Sequence, residues 1–317
     1  MHGKSLLHHR LLIAAVLLLT GLAGLLAAAE RTTLIWKGCS ITKIAFMVGC
    51  ARAYEAKTGV HIELVGGGAT LGIRSTLAGD ADMGGTCRPS RPDLFPDLEA
   101  GGVLIHAGWD AICYITHPEN PVTDITADQA RQILLGEITN WQEVGGPDQP
   151  IFLINRRQDE DDRFSGVGYM TRRLLFKNPD VKYADRAITF RDSGLVERNV
   201  EKIRWSFAAD GFASACHRQV KILAVDGIAC TRENIMAGRY PFFRPLYLIT
   251  HGQPAGEVKR FIDWLLGAEG QAVVKAEGTI NLAEGRQLAL QFKAWEQLDQ
   301  FYNPPAGIER RDSGDRP

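Results

Sequence analysis

The sequence lacks charge imbalance, is sparing with cysteine, and carries no common catalytic signature. With 36 Lys and Arg against 37 Asp and Glu, the formal net charge is -1 over 317 residues. So even a balance supplies no basic field for a polyanion and argues against a nucleic-acid partner. Six cysteines are few for this length, so the chain is not a small domain stapled by disulfides. No G-x-S-x-G elbow, H-E-x-x-H pair or Walker loop occurs. Gly66-Gly67-Gly68 lacks dinucleotide spacing, and Ala215-Cys216-His217 lacks the earlier cysteine of a haem attachment site. His106 and Asp110 could be drawn as a dyad, but no nucleophile is placed with them. A non-enzymatic protein without cofactor or metal is therefore expected. Internal repeats and low-complexity blocks are also missing.

What is present begins with an export signal. Lys4 and Arg10 precede the apolar run Leu11–Leu26, and Ala27-Ala28-Ala29 before Glu30 forms a small-residue cleavage site. Residues 1–29 are thus expected to be a cleaved signal peptide rather than an anchor, the run being slightly short for a span. No cysteine stands at the cleavage point, which argues against lipidation, and a soluble periplasmic protein is expected. Hydrophobic residues make up 45% of the chain, enough for a full core and two lobes.

The chain is organised around Trp36–Pro89, which reads as strand, tight loop, helix, strand, glycine-rich loop, helix, then a turn at Gly84-Gly85-Thr86-Cys87-Arg88-Pro89. In a parallel sheet such loops leave the carboxyl ends of strands and open helices, so the Gly38–Thr42 and Gly66–Thr70 loops should lie side by side. Unpaired N–H groups at helix starts attract an anion or a polar oxygen ligand. A small oxyanion or its neutral acid is the first ligand class to consider. The same logic brings Cys39 near Cys87. They could form a disulfide, a thiol pair for a soft ligand, or two unrelated packed thiols.

Further along, strands are predicted at Gly102–His106 and Ala111–Thr116, with Gly108-Trp109-Asp110 as a crossing between lobes. Thr126 caps a helix over Ala127–Leu135, closed by Gly136. A short strand at Ile151–Asn155 precedes the acid-rich run around Asp161, whose expected place is a solvated surface loop. Ser165-Gly166 then starts a helix over Tyr169–Phe176. Asp192-Ser193-Gly194 opens another through Glu201, and Ile203–Ala215 reads as strand and turn. A strand at Val220–Val225 and a short helix capped by Thr231 lead to the strand Pro241–Thr250, with Arg244 and Pro245 as a second crossing. An amphipathic helix, Glu257–Leu266, follows, and the charged tail from Asn303 is expected to be disordered. Cys50 and Cys113 read as core, whereas Cys216 and Cys230 flank one strand and could pair. The alternation of strands and helices predicts an α/β protein with mostly parallel sheets.

Several segments, in one order, resemble the phosphate-type periplasmic substrate-binding proteins of ABC transporters. They are GCSITKIAF, GGGATLGIRSTLAGDADMGGTCRP, NPVTDITADQARQILLGEITNWQEVGGPDQPI, VDGIACTRENIMAGRYPFFRPLYLIT and GEVKRFIDWLLGAEGQAVV. The resemblance implies a type II two-lobed fold with a ligand cleft, one lobe of residues 30–108 plus 243–302 and another of 109–242, with 303–317 as tail. It places oxyanion contacts at Ser40 and Ile41 beside Cys39 and Thr42, at Ala69 and Thr70, at Thr86 and Cys87, and at Ser165, Gly166 and Val167. Arg88 would either lend charge to the pocket or pair with an acid on the surface. An inner-membrane ABC permease is the implied partner, and a monomer is expected. Two departures stand out. A thiol, Cys87, stands where family members often have an acidic or hydroxyl residue, and Ser-Gly-Val replaces Ser-Gly-Thr. Cleft thiols are similar to a branch that senses arsenic oxyanions and signals to a membrane histidine kinase, thiolates being soft ligands.

Overall fold

The computed structural model describes residues 32–156 and 165–293. The expected signal segment, the acidic run around Asp161 and the tail lie outside the described residues. Among the described residues ten strands are formed: β1 Thr33–Gly38, β2 His61–Gly66, β3 Met83–Thr86, β4 Gly102–Thr116, β5 Asp124–Ile125, β6 Phe152–Arg156, β7 Ile188–Phe190, β8 Ser206–Gly211, β9 Lys221–Val225 and β10 Phe243–His251. Their order is β2-β1-β3-β10-β4-β8-β6-β7, with β9 joining β4 to β5. Helices intervene between them, giving the α/β class. Five of nine strand pairings are parallel. Every antiparallel pairing involves β4 or β10, the two strands that link the halves of the molecule.

β4 joins into one strand the two strands expected on either side of the Gly108-Trp109-Asp110 crossing. It runs unbroken, pairing with β10 from Gly102 to Ala111 and with β8 and β9 from Ile112 to Thr116. Gly108 has a use other than turning. A β-carbon there would sit 3.2 Å from Ile280 O, and the adjacent Trp109 N–H donates to that same carbonyl at 2.9 Å. The glycine admits a passing backbone, and the strand continues through it.

Around the first three strands the sequence acts through close approach. β1 alternates, placing Leu34 and Trp36 inward. β-carbons at Gly85 and Gly84 would lie 2.1 Å from the Trp36 ring and 2.4 Å from Gly72 O. The Gly84-Gly85 pair therefore lets the helix Ala69–Leu77 lie backbone against β3, which draws its N-terminus to the sheet edge. The first helix starts at Ser40–Thr42, widens to a π turn over Lys43–Met47 and continues as Val48–Thr58, stopping at left-handed Gly59. Ile41, Phe46, Met47, Cys50 and Tyr54 form its buried side. In the other half, the helix expected over Tyr169–Phe176 begins earlier, at Gly166–Thr171, and ends in a π turn over Arg172–Phe176. Ser165 caps it by accepting from Gly168 N–H.

Candidate functional site

The loops meet as the strand ends require. Gly67 and Gly68 N–H both donate to Gly38 O, at 3.0 and 3.3 Å, so the loops after β1 and β2 lie side by side. Cys39 N–H donates to Gly85 O at 3.0 Å, tying the first loop to the turn after β3. The helix start at Ser165-Gly166 faces them from the other half. A β-carbon on Gly166 would lie 2.2 Å from Cys87 Sγ and 3.2 Å from Ala69 Cβ. Three helix N-termini thus converge, with less than a methyl group of room between Gly166 and Cys87.

Cys39 and Cys87 are side by side at this point, 4% and 1% exposed. Cys39 Sγ accepts from Thr42 N–H at 3.3 Å and lies 2.5 Å from Thr42 Oγ1. Burial opposes ionisation of Cys39. The hydrogen bond from the Cys87 thiol, those from Thr42 and the charge of Arg244 outweigh it and bring the Cys39 thiol down to about 7. Cys87 moves the opposite way, held well above the ordinary thiol value by its hydrogen bond to Cys39 and by burial. Cys39 is therefore the readier of the two to ionise.

Behind the thiols is a buried ion pair spanning the two linking strands. Arg244 of β10 donates to Asp110 Oδ2 of β4 through Nη2 at 2.7 Å and Nε at 3.1 Å. Its third nitrogen, Nη1, lies 3.3 Å from Gly166 O. Asp110 Oδ1 accepts from Ala213 N–H at 2.8 Å. Burial works against the charge of Arg244, but Cys87, Asp110 and Cys39 hold it cationic.

A second guanidinium faces the site from β6. Arg156 Nη1 donates to Ser193 Oγ at 3.2 Å and Nη2 to Arg191 O, and a β-carbon on Gly68 would lie 3.7 Å from Nη2. Among the described residues its Nε has no hydrogen-bond partner. Under Ser193 lie two carboxyls, Asp210 and Glu197, both 1% exposed. Burial and then the Glu197 carboxyl push Asp210 well above the usual carboxylate range. Ser214 Oγ donates to Glu197 on its far side.

The other residues expected at the site divide between opening helices and shaping the turn. Ser40 and Ile41 form the first helical turn after Cys39, and Ala69 and Thr70 the first after Gly68. Val167 is buried in the turn opened by Ser165. Thr86 Oγ1 donates to Arg88 O at 2.8 Å and is fully buried, so it shapes the turn that presents Cys87. Arg88 departs from the pairing with a surface acid. Its guanidinium donates to both Glu99 oxygens at 2.8 Å, and Glu99 is 1% exposed. Nη2 also donates to Thr70 Oγ1 at 3.0 Å, bracing the second helix start. Among the remaining cysteines, Cys216 is exposed, while Cys230 is buried and its thiol hydrogen-bonds Cys113 rather than Cys216. Arg156, Arg244 and Asp110 were not assigned to the site from sequence. Their signal is a charge inside or closing an apolar strand, in PFFRPLYLIT, GWDAICYIT and IFLINR.

Comparison with known proteins identifies the family and the fold. A model described as a PBP superfamily domain matches residues 44–269. The phosphate-binding protein PstS of Borreliella burgdorferi is 27% identical over 190 residues, covering 59% of this chain and 68% of that protein. PstS of Bacillus subtilis is 24% identical over 253 residues, covering 78% and 80%. Among solved structures, a chain from Clostridium perfringens, described as a phosphate ABC transporter substrate-binding protein with bound phosphate, superposes with a TM-score of 0.71 at 27% identity, covering 79% of this chain and 100% of that one. An ABC-type phosphate transport receptor from Vibrio cholerae gives a TM-score of 0.61 at 23% identity, covering 79% and 100%, and shares the fold. With its two linking strands, its helix starts gathered at the strand ends and a family match over most of its length, the chain belongs to the PBP superfamily.

Proposed function

We propose that this protein is an exported, non-enzymatic solute-binding protein that closes two lobes over a small tetrahedral oxyanion, phosphate foremost, and delivers it to an ABC permease. The lobes would comprise residues 30–108 with 243–302, and residues 109–242. One observation carries this reading: the helix starts at Ser40, Ala69 and Gly166 converge on one point beside the Arg156 guanidinium. Helix N-termini offer N–H groups and positive partial charge, and a guanidinium adds a bidentate oxyanion donor. The relatives named for phosphate binding support phosphate within that class. In this reading Ser40, Ile41, Thr70, Gly166 and Val167 supply backbone or hydroxyl donors, and Ala69 lets the second helix start come close. A thermal-shift panel of phosphate, arsenate, sulfate and molybdate tests it. Phosphate at saturating concentration should raise the melting temperature. If no tetrahedral oxyanion does so, the reading is wrong.

The thiol pair favours a second reading, a periplasmic sensor of arsenic oxyanions acting on a membrane histidine kinase. Cys39 and Cys87 together present the soft donors that trivalent arsenic prefers. Arsenite belongs in the same panel, run with reductant. Stabilisation by arsenite that disappears in Cys87→Ser would move this reading ahead of transport.

A further inference from the structure

Cys39 and Cys87 differ from the other buried cysteines in how they are placed. Cys50 sits against the core side of its helix, and burial pushes its thiol up and makes it inert. Cys39 is the cap of a helix, its sulfur accepting from Thr42 N–H, in contact with Thr42 Oγ1 and near a guanidinium, the setting that makes a thiol nucleophilic. Cys87 is its hydrogen-bonded neighbour, fixed by the Thr86–Arg88 turn and the Cys39–Gly85 bond. From the linking strands the pair faces Arg244 and Asp110. The helix Ser193–Val200, packed on Ser40–Thr42, brings Glu197, whose carboxyl is engaged by Ser214 and lies 3.4 Å from Arg218.

We propose that Cys39 and Cys87 form a reversible disulfide within the anion site and that this bond raises the affinity of the site for oxyanions. The proposal rests on the oxyanion-binding reading above. The oxidant is a disulfide of the thiol-oxidising kind found in exported compartments. Cys39 thiolate attacks one sulfur of that disulfide, forming a mixed disulfide and releasing the oxidant's other sulfur as a thiolate. Cys87 then loses its proton to solvent and attacks Cys39 Sγ, which forms the Cys39–Cys87 bond and expels the second oxidant sulfur. Two electrons pass from the cysteine pair to the oxidant, and reduction by a dithiol reverses the sequence. Gly166 covers Cys87 in the closed arrangement, so exchange takes place with the lobes apart and ligand-driven closure protects whichever state is present.

The sign of the effect follows from charge. In the reduced state the Cys39 thiolate and Asp110 together neutralise Arg244 and repel an incoming anion. The disulfide is neutral, so Arg244 then has one fewer negative neighbour and the repulsion disappears. A neutral, thiol-seeking ligand would show the reverse preference, because the disulfide removes its donors.

The test is isothermal titration of the full chain with inorganic phosphate at about pH 8, where most of a thiol with a value near 7 is ionised. It is run on oxidised and dithiol-reduced protein, with thiol states assigned by alkylation under denaturing conditions and peptide mass. Expected are loss of alkylation at Cys39 and Cys87 in the oxidised sample and phosphate binding about tenfold tighter than in the reduced one, equivalent to about 1.4 kcal/mol. In Cys39→Ser and Cys87→Ser the difference should vanish. If both cysteines remain alkylated after oxidation, or the two forms bind phosphate equally, the proposal is overturned while the oxyanion reading stands. Binding by neither form would overturn the oxyanion reading and the affinity switch with it, and the mass measurement would still decide whether the bond forms.

Discussion

A single methyl group at residue 166 should separate binding from folding. Gly166 meets Cys87 Sγ across the two halves, and a β-carbon there would stand 2.2 Å from the sulfur. Overpacking of that kind costs about 1–3 kcal/mol. In Gly166→Ala the cost falls on the closed arrangement, so phosphate affinity should drop roughly 5- to 150-fold by the same free-energy arithmetic. Titration calorimetry measures that drop, and the melting temperature of the ligand-free protein should barely change. An unchanged affinity would mean that this contact is absent from the bound state. Residue-level placement was only half legible beforehand. Gly166 announces a close approach within a helix start, but nothing in its neighbourhood says that a sulfur 79 positions earlier is what it approaches.

Elements are held to one another here by buried charge. Arg88 in the turn after β3 grips Glu99 at the end of the short helix Pro96–Glu99, and the same guanidinium braces Thr70. Removing one partner of such a pair leaves the other buried and unpaired, at about 3–5 kcal/mol. Glu99→Gln should therefore be destabilised at neutral pH. Burial raises the Glu99 carboxyl, but Arg88 and the Arg91 N–H outweigh it and hold the group below its ordinary value of 4.5. A depressed folded-state value means that the pair stabilises above the unfolded value and fades as pH falls through the folded one. Urea unfolding across a pH series should show wild type and Glu99→Gln converging in acid below about pH 4. A constant gap would remove the ion pair as the cause. Arg88 was open to two places, the pocket or a surface acid, and the structure pairs it instead with a buried acid. Asp97 and Glu99 both lie on the proline-started helix, and the Glu99 carboxylate is the one buried against the arginine, a partner that sequence spacing does not single out.

At the scale of the molecule, β4 and β10 are the only pair of strands carrying both halves among the described residues. The Asp110–Arg244 pair sits where β4 leaves β10 for β8. Contacts such as Arg91 over the Tyr169 ring, 5.4 Å from its centroid, cross from one half to the other beyond those strands. Only two strands have to flex for the halves to separate, which suits hinge closure over a ligand. Small-angle scattering should then give a smaller radius of gyration with saturating phosphate than without it. Identical curves, under conditions where calorimetry shows binding, would mean that the ligand enters an already closed protein.

The sequence by itself determined what is local. Two-residue alternation set β1, caps at Thr126, Ser165, Asp192 and Thr231 set helix starts, and glycine loops at Gly38 and Gly66 placed helix N-termini at the ends of adjacent strands. Those features depend on neighbours within a turn or two of chain, and the family segments are built from them. Tertiary structure alone decided how charges and sulfurs were paired. Asp110 and Arg244 are 134 residues apart and meet because β10 is inserted between β3 and β4. Arg156 faces Gly68, and Cys230 reaches Cys113 instead of Cys216, for the same kind of reason. A buried charge or thiol announces in sequence that it needs a partner, and only the order of strands in the sheet determines which partner is within reach.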